Sequence, residues 1–189
     1  MEGVAGTFID PVCFWNRMAK SDSFFIRAII DDPDNTYQET AIDLGAYVDA
    51  LGKSVLRIHR VEVRHPRCGA STTPSAFVAE STYQLTTQSQ SGAVQLNDKS
   101  LIASGRLQAA YPPASGTPAL STPTAISQDA DINPQSWTNG YLVGVEQIYF
   151  GSIQANEDVF GTGSISIMLE CTVETLSQSA AMALALSQQ

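Results

Sequence analysis

From Ile165 to Val173 the chain alternates without interruption. Ile165, Ile167, Leu169, Cys171 and Val173 share one parity, while Ser166, Met168, Glu170, Thr172 and then Glu174 share the other. Successive side chains of a strand point to opposite faces, so a period of two over this length predicts a strand with one face in a core. The same pattern recurs in Phe77, Ala79, Tyr83 and Leu85 against Glu80, Thr82, Gln84 and Thr86. It recurs again in Phe24, Ile26, Ala28 and Ile30, where Phe25 and Ile29 make the second face partly apolar around Arg27, and in Leu101, Ala103 and Leu107.

Two further segments change phase midway. In Val55–Arg64, Leu56 and Ile58 lie on one parity and Val61 and Val63 on the other; in Tyr141–Phe150, Val143 and Val145 give way to Ile148 and Phe150. A phase change predicts a β-bulge or a strand buried on both faces. Helix signals are few: a short turn over Asp43–Leu51 ended by Gly52, another over 14–20, and an Ala/Leu-rich helix or buried tail over Thr175–Ser187. Between the strands, Asp31-Asp32-Pro33-Asp34-Asn35 reads as a turn. Residues 112–136 hold five of the nine prolines and read as a long loop, because Leu107–Gln128 carries no charge. Short strands broken by Pro and Gly, without alternating helices, predict an all-β sandwich, and the version expected is an eight-stranded single jelly roll with short helical turns and a C-terminal helix or tail. The 189 residues suit one domain, 1–189, with an N-terminal arm at 1–20, the Pro-rich loop at 112–136 and a C-terminal tail at 176–189.

A domain of this size buries roughly 70% of its unfolded surface and needs no staple. Accordingly, the three widely spaced cysteines, Cys13, Cys68 and Cys171, read as small buried hydrophobes rather than a disulfide framework. Charged residues make up only 15% of the chain, and 35 Ser and Thr take their place. The net charge of −9 argues against direct nucleic-acid binding, which leaves a basic footprint. The start of the chain carries Glu2 and no basic region followed by an apolar one, so a protein made and kept in a cytoplasm, or exported only by cell lysis, is expected.

The inventory for catalysis is thin. His59 and His65 are the only histidines, and both read as solvated or interface side chains. Gly161-Thr162-Gly163-Ser164 precedes a strand, so no helix N-terminus waits there for phosphate. No cysteine pair has zinc-ligand spacing. The Asp31–Asn35 and Asn156–Asp158 turns offer oxygens, but Pro33 interrupts the first, and both read as Asx-stabilised turns. Neither a cofactor nor a metal is expected, and no enzymatic activity.

The pattern that stands out is basic. Lys53, Arg57, Arg60, Arg64 and Arg67 are half of all the cations, packed into fifteen positions beside His59 and His65. On an acidic chain such a band reads either as a docking surface for a neighbouring copy or an anionic ligand, or as cross-strand pairing with Glu62 and other carboxylates of the same chain. Phe14 and Trp15, in the apolar N-terminal segment with Phe8, Ile9 and Val12, are the second interface candidate; they either cap the core or dock on a neighbour.

The stretch Thr40-Ala41-Ile42-Asp43-Leu44-Gly45-Ala46-Tyr47-Val48-Asp49, the following Lys53–Val63 (KSVLRIHRVEV) and the ending Ile165–Gln189 resemble single jelly-roll major capsid proteins of tailless icosahedral double-stranded DNA viruses, especially those of archaea, which enclose an internal membrane. The resemblance covers about a third of the chain and is one of pattern. It implies an upright jelly roll found in the virion, assembling with other copies of itself and with a paralogous capsid protein into homo- or hetero-oligomeric capsomers. The shell would lie around a lipid vesicle and genome that the subunit itself need not touch. It carries over no catalytic residue. A different class of function, a jelly-roll carbohydrate- or receptor-binding module, would use Trp137 and Tyr141 to stack on a sugar ring. A metal-dependent jelly-roll enzyme would need a cluster of histidines that His59 and His65 do not supply.

Overall fold

The computed structural model describes residues 21–31, 35–49, 53–65, 78–110, 125–128, 135–155 and 163–189. Phe14, Trp15, Arg67, Cys13, Cys68 and the acidic turn at 156–158, all singled out above, lie outside the described residues. Nine strands and one helix follow in order: β1 (Phe24–Ile30), β2 (Gln38–Asp43), β3 (Ser54–Arg64), β4 (Val78–Thr86), β5 (Leu101–Ala110), β6 (Ala125–Gln128), β7 (Gln135–Val143), β8 (Gln147–Ala155), β9 (Ile165–Thr175) and α1 (Gln178–Ser187).

They form two sheets, β1-β9-β3-β7 and β2-β8-β4-β5-β6, and every pairing is antiparallel. With the short β6 set aside, the remaining eight strands read first-eighth-third-sixth in one sheet and second-seventh-fourth-fifth in the other. That is the jelly-roll order, two interleaved Greek keys closed face to face. The expected fold class therefore holds, with a ninth strand added. β6 lies inside the segment expected to be a long loop and pairs with β5 at the sheet edge, and β7 begins at Gln135.

The alternation in β9 turns into burial directly: Ile165, Ile167, Leu169 and Cys171 are 0–2% exposed. From the same sheet Leu56, Ile58, Val61, Val63 and Val143 join them, and from the opposite sheet Ile42, Tyr83, Leu85, Ala103, Ile148 and Phe150. A fully buried side chain of this kind stabilises by about 1.5–3 kcal/mol relative to exposure. Leu44 and Val48 close one end through a single helical turn, in which Val48 N–H donates to Leu44 O at 2.9 Å; this is the described part of the turn expected over Asp43–Leu51. Burial pushes the Cys171 thiol up to about 12, as a small core residue requires.

The two phase changes have different causes. In β3 it is a bulge. Ile58 pairs with Cys171 and Arg60 with Glu170, so His59 is one residue too many for β9, and the buried parity switches from 56 and 58 to 61 and 63. On the other side β7 compensates, because Ile58 opposes Tyr141 while Arg60 opposes Ser136. Gly140 takes φ +70° there, with the Arg57 side chain and Ile58 O so close that a Cβ would sit 2.7–2.9 Å from them. In Tyr141–Phe150 the phase change is not a bulge, and that reading is corrected: β7 ends at Val143, β8 starts at Gln147, and the chain crosses from one sheet to the other between them. Each strand keeps its own phase.

The helix at the end of the chain starts where Ser177 Oγ accepts from Ala180 N–H at 3.3 Å, an N-cap. It buries Ala181 and Ala185 and comes so near Gly144 that a Cβ there would sit 3.1–3.2 Å from the Leu184 side chain and the Ala185 amide. Beyond it, Gln188 Oε1 accepts from Gly144 N–H at 2.8 Å and its Nε2 donates to Leu142 O at 2.7 Å. Thr87, just past β4, donates its hydroxyl to Gln188 O at 2.8 Å. The tail expected at 176–189 is thus pinned to both sheets.

One end of the interior is polar. His65 continues the inner parity of Val61 and Val63, and its ring crosses the sandwich so that Nδ1 lies 2.9 Å from Ser81 Oγ of β4. It packs at 5.9 Å from the Tyr83 ring. Desolvation lowers its pKa to about 4, so the ring is neutral at pH 7. Ser81 stands directly opposite Gln154 of β8, and both are 0% exposed. The expectation of a solvated or interface histidine is therefore corrected at His65, for the same alternation that buries Val61 and Val63 also carries it inward.

Candidate subunit interface

The outer face of β1-β9-β3 is a grid fixed by register. One row runs Phe25, Glu170, Arg60; the next Arg27, Met168, Glu62; the third Ile29, Ser166, Arg64. β1 buries its even parity, so its odd residues face out: Phe25 is 49% exposed and Ile29 53%. A groove of about 680 Å³ runs across the rows, lined by Arg27, Ile29, Arg60, Glu62, Arg64, Ser166 and Met168 among others. A smaller hollow continues it between Phe25, Arg60, Met168 and Glu170. Apolar and aromatic side chains set among arginines, with few other charges, is the composition enriched in protein–protein interface cores.

The His59 bulge is what assembles this face. By sequence parity Arg57 and His59 oppose Arg60 and Arg64, yet the extra residue turns all four outward. Lys53 is exposed one residue before β3, and its carbonyl accepts from Leu176 N–H at 2.7 Å. The cations then divide. Arg57 Nη2 meets Glu174 Oε2 at 2.6 Å with both side chains largely covered, and Arg57 also donates to Asn139 O. His59 Nε2 lies 2.9 Å from Thr172 Oγ1. Arg60 pairs with Glu62 at 2.5 Å in the open, where such a pair contributes about 0–1 kcal/mol and leaves the charge available. Arg64 is exposed on the groove wall. Cross-strand pairing thus anchors Arg57, while Arg60 and Arg64 border the groove.

Sequence reasoning missed Arg27. It belongs to the same patch although it lies on a distant strand, because β9 brings β1 alongside β3. Its guanidinium sits 5.5 Å from the Phe25 ring centroid, a cation–π contact worth about 0.5–1 kcal/mol at an exposed site. The signal was present in Phe25 and Ile29, apolar residues flanking an arginine on the parity opposite the core.

Trp137 and Tyr141, the candidates for sugar stacking, lie with ring centroids 5.8 Å apart and planes at 47°, and both pack against the core. A stacking platform presents an aromatic face outward. Among the described residues no three His, Cys, Asp or Glu side chains gather as metal ligands. No described helix is long and apolar enough to cross a membrane.

No family model and no curated protein matches the chain. Similar solved structures include a chain of Desmodium yellow mottle tymovirus, 11% identical with a TM-score of 0.37, covering 92% of this chain and 96% of that one. A human polyomavirus 6 VP1 pentamer chain is 11% identical with a TM-score of 0.41, covering 80% and 94%. A turnip yellow mosaic virus chain is 8% identical with a TM-score of 0.32, covering 93% and 90%. The jelly-roll assignment stands on the strand order and does not depend on these likenesses.

Proposed function

We propose that this chain is a structural shell subunit, a major capsid protein that self-assembles into capsomers of an icosahedral virion. The observation that carries the reading is the outer face of β1-β9-β3. There, half-exposed Phe25 and Ile29 flank a groove bordered by Arg27, Arg60 and Arg64, on a chain whose net charge is −9. The occupant is a second copy: an acidic protein offers carboxylates to a cationic face of its twin, and the contrast in sign sets the orientation of docking. The sequence resemblance supports the finer assignment to capsids built around an internal membrane, with a paralogous capsid protein as a second partner. Phe14, Trp15 and Arg67 are further contact residues in this reading, and Lys53, Arg57 and His59 border the same face.

Size-exclusion chromatography with light scattering tests it. At low salt and high concentration the full chain should run well above its 20.2 kDa monomer mass, and the mass should fall as salt rises past about 0.5 M, where charge attraction is screened within a few ångströms. Ile29→Asp and Arg64→Glu should each return the chain to monomer while leaving its circular dichroism unchanged. A wild-type chain that stays monomeric at every salt and concentration, alone and with virion components, refutes the proposal.

A further inference from the structure

We infer that the polar end of the sandwich is a binding site for one water molecule, held between His65 Nε2 and Gln154 Oε1 beside Ser81. Three observations place it. His65 Nε2 and Gln154 Oε1 are both buried polar atoms without a hydrogen-bond partner. They belong to one cluster: His65 bonds Ser81, and Ser81 stands opposite Gln154 in the β4–β8 register, where directly opposed side chains lie about 4.5–5.5 Å apart at Cβ. His65 Nδ1 lies 2.9 Å from the Ser81 hydroxyl, which is 0% exposed, so Nε2 is the ring nitrogen left over, a donor or an acceptor according to the tautomer. The Gln154 amide is oriented by its Nε2 donating to Gly163 O at 3.4 Å, which leaves Oε1 as the acceptor. Two polar atoms are thus left over around Ser81, and a water donates to Gln154 Oε1 while it accepts from, or donates its second hydrogen to, His65 Nε2. Buried waters bridge such groups at about one per 27 residues in globular proteins, and buried polar atoms left unsatisfied are few.

The site is independent of the proposed interface. His65 and Gln154 face the sandwich interior, whereas the interface residues face outward, so failure of either inference leaves the other standing. A double-mutant cycle on the full chain tests it. Gln154→Met removes the carbonyl oxygen and His65→Phe the ring nitrogen. If one water serves both, each single change lowers the urea midpoint, and the double variant loses clearly less than the sum, because the second change acts on a bridge already gone. Strictly additive losses, or a midpoint raised by Gln154→Met, overturn the inference. Should His65→Phe fail to fold, the wild-type chain decides by nuclear magnetic resonance. A rotating-frame cross-peak between a His65 ring proton next to Nε2 and a long-lived water supports the site, and the absence of that cross-peak overturns it.

Discussion

Mild acid should loosen this fold through a single side chain. His65 is depressed to about 4 by desolvation, against an ordinary value of 6.5. Above pH 6.5 the ring is neutral both folded and unfolded, and it contributes no pH dependence. Between 6.5 and 4 the unfolded chain takes up a proton that the folded chain refuses, so stability falls as pH drops, and the loss is complete just below 4. The fall from 6.5 to about 4 corresponds to roughly 3 kcal/mol. At pH 5 the unfolded ring is almost fully charged and the folded one almost neutral, so about 2 kcal/mol of that loss has already appeared. With a urea dependence of about 2 kcal/mol per molar, the unfolding midpoint should drop by about 1 M between pH 7.5 and 5. The comparison is with His65→Asn, whose amide can still hydrogen-bond a hydroxyl but takes up no proton in this range. The difference between the two proteins isolates His65. Identical midpoint shifts in wild type and His65→Asn would show that the ring is solvated and the placement of this cluster mistaken.

Two other expectations follow from the same geometry. Glu174→Gln should cost about 2 kcal/mol in urea unfolding at pH 7, because it strands a largely covered Arg57; replacing both residues by Leu and Met should recover part of it, and a neutral Glu174→Gln would contradict the pairing. In a Cys13→Ser/Cys68→Ser background, Cys171 should resist a disulfide reagent at pH 8 until urea unfolds the chain; one equivalent reacting at once in the native protein would place the thiol outside the core.

How much of this was legible in the sequence depended on where each strand lies. β9, β4 and β1 each have one dry face, so alternation betrayed them, and the phase change in β3 was correctly a sign of a bulge. β2 was harder, because it is a sheet-edge strand in which only Ile42 is fully buried and Gln38, Ala41 and Asp43 face solvent. The turn between β7 and β8, Gly144-Val145-Glu146, lacks the Pro or Asn-Gly punctuation that marks a change of strand, so two strands read as one. β6 is four residues long and sits among prolines, too short for any period to register. The candidate face was half visible: a run of cations is a local signal, but the contribution of Arg27 and Met168 comes only from strand pairing. His65 was readable in principle, since Val61, Val63 and His65 share one parity, and the polar character of the residue concealed it.

The extra residue in β3 also sets what changes this strand can accept. Losing His59 would restore plain alternation and leave Val61 and Val63 inward, whereas losing a residue beyond Arg60 would turn every later side chain of the strand to the opposite face. No single replacement in the strand does comparable harm, since each alters one position and leaves its neighbours facing as before. A descendant of this chain could therefore keep its fold while the identity of those outward residues drifted, and would be held far more tightly to their number.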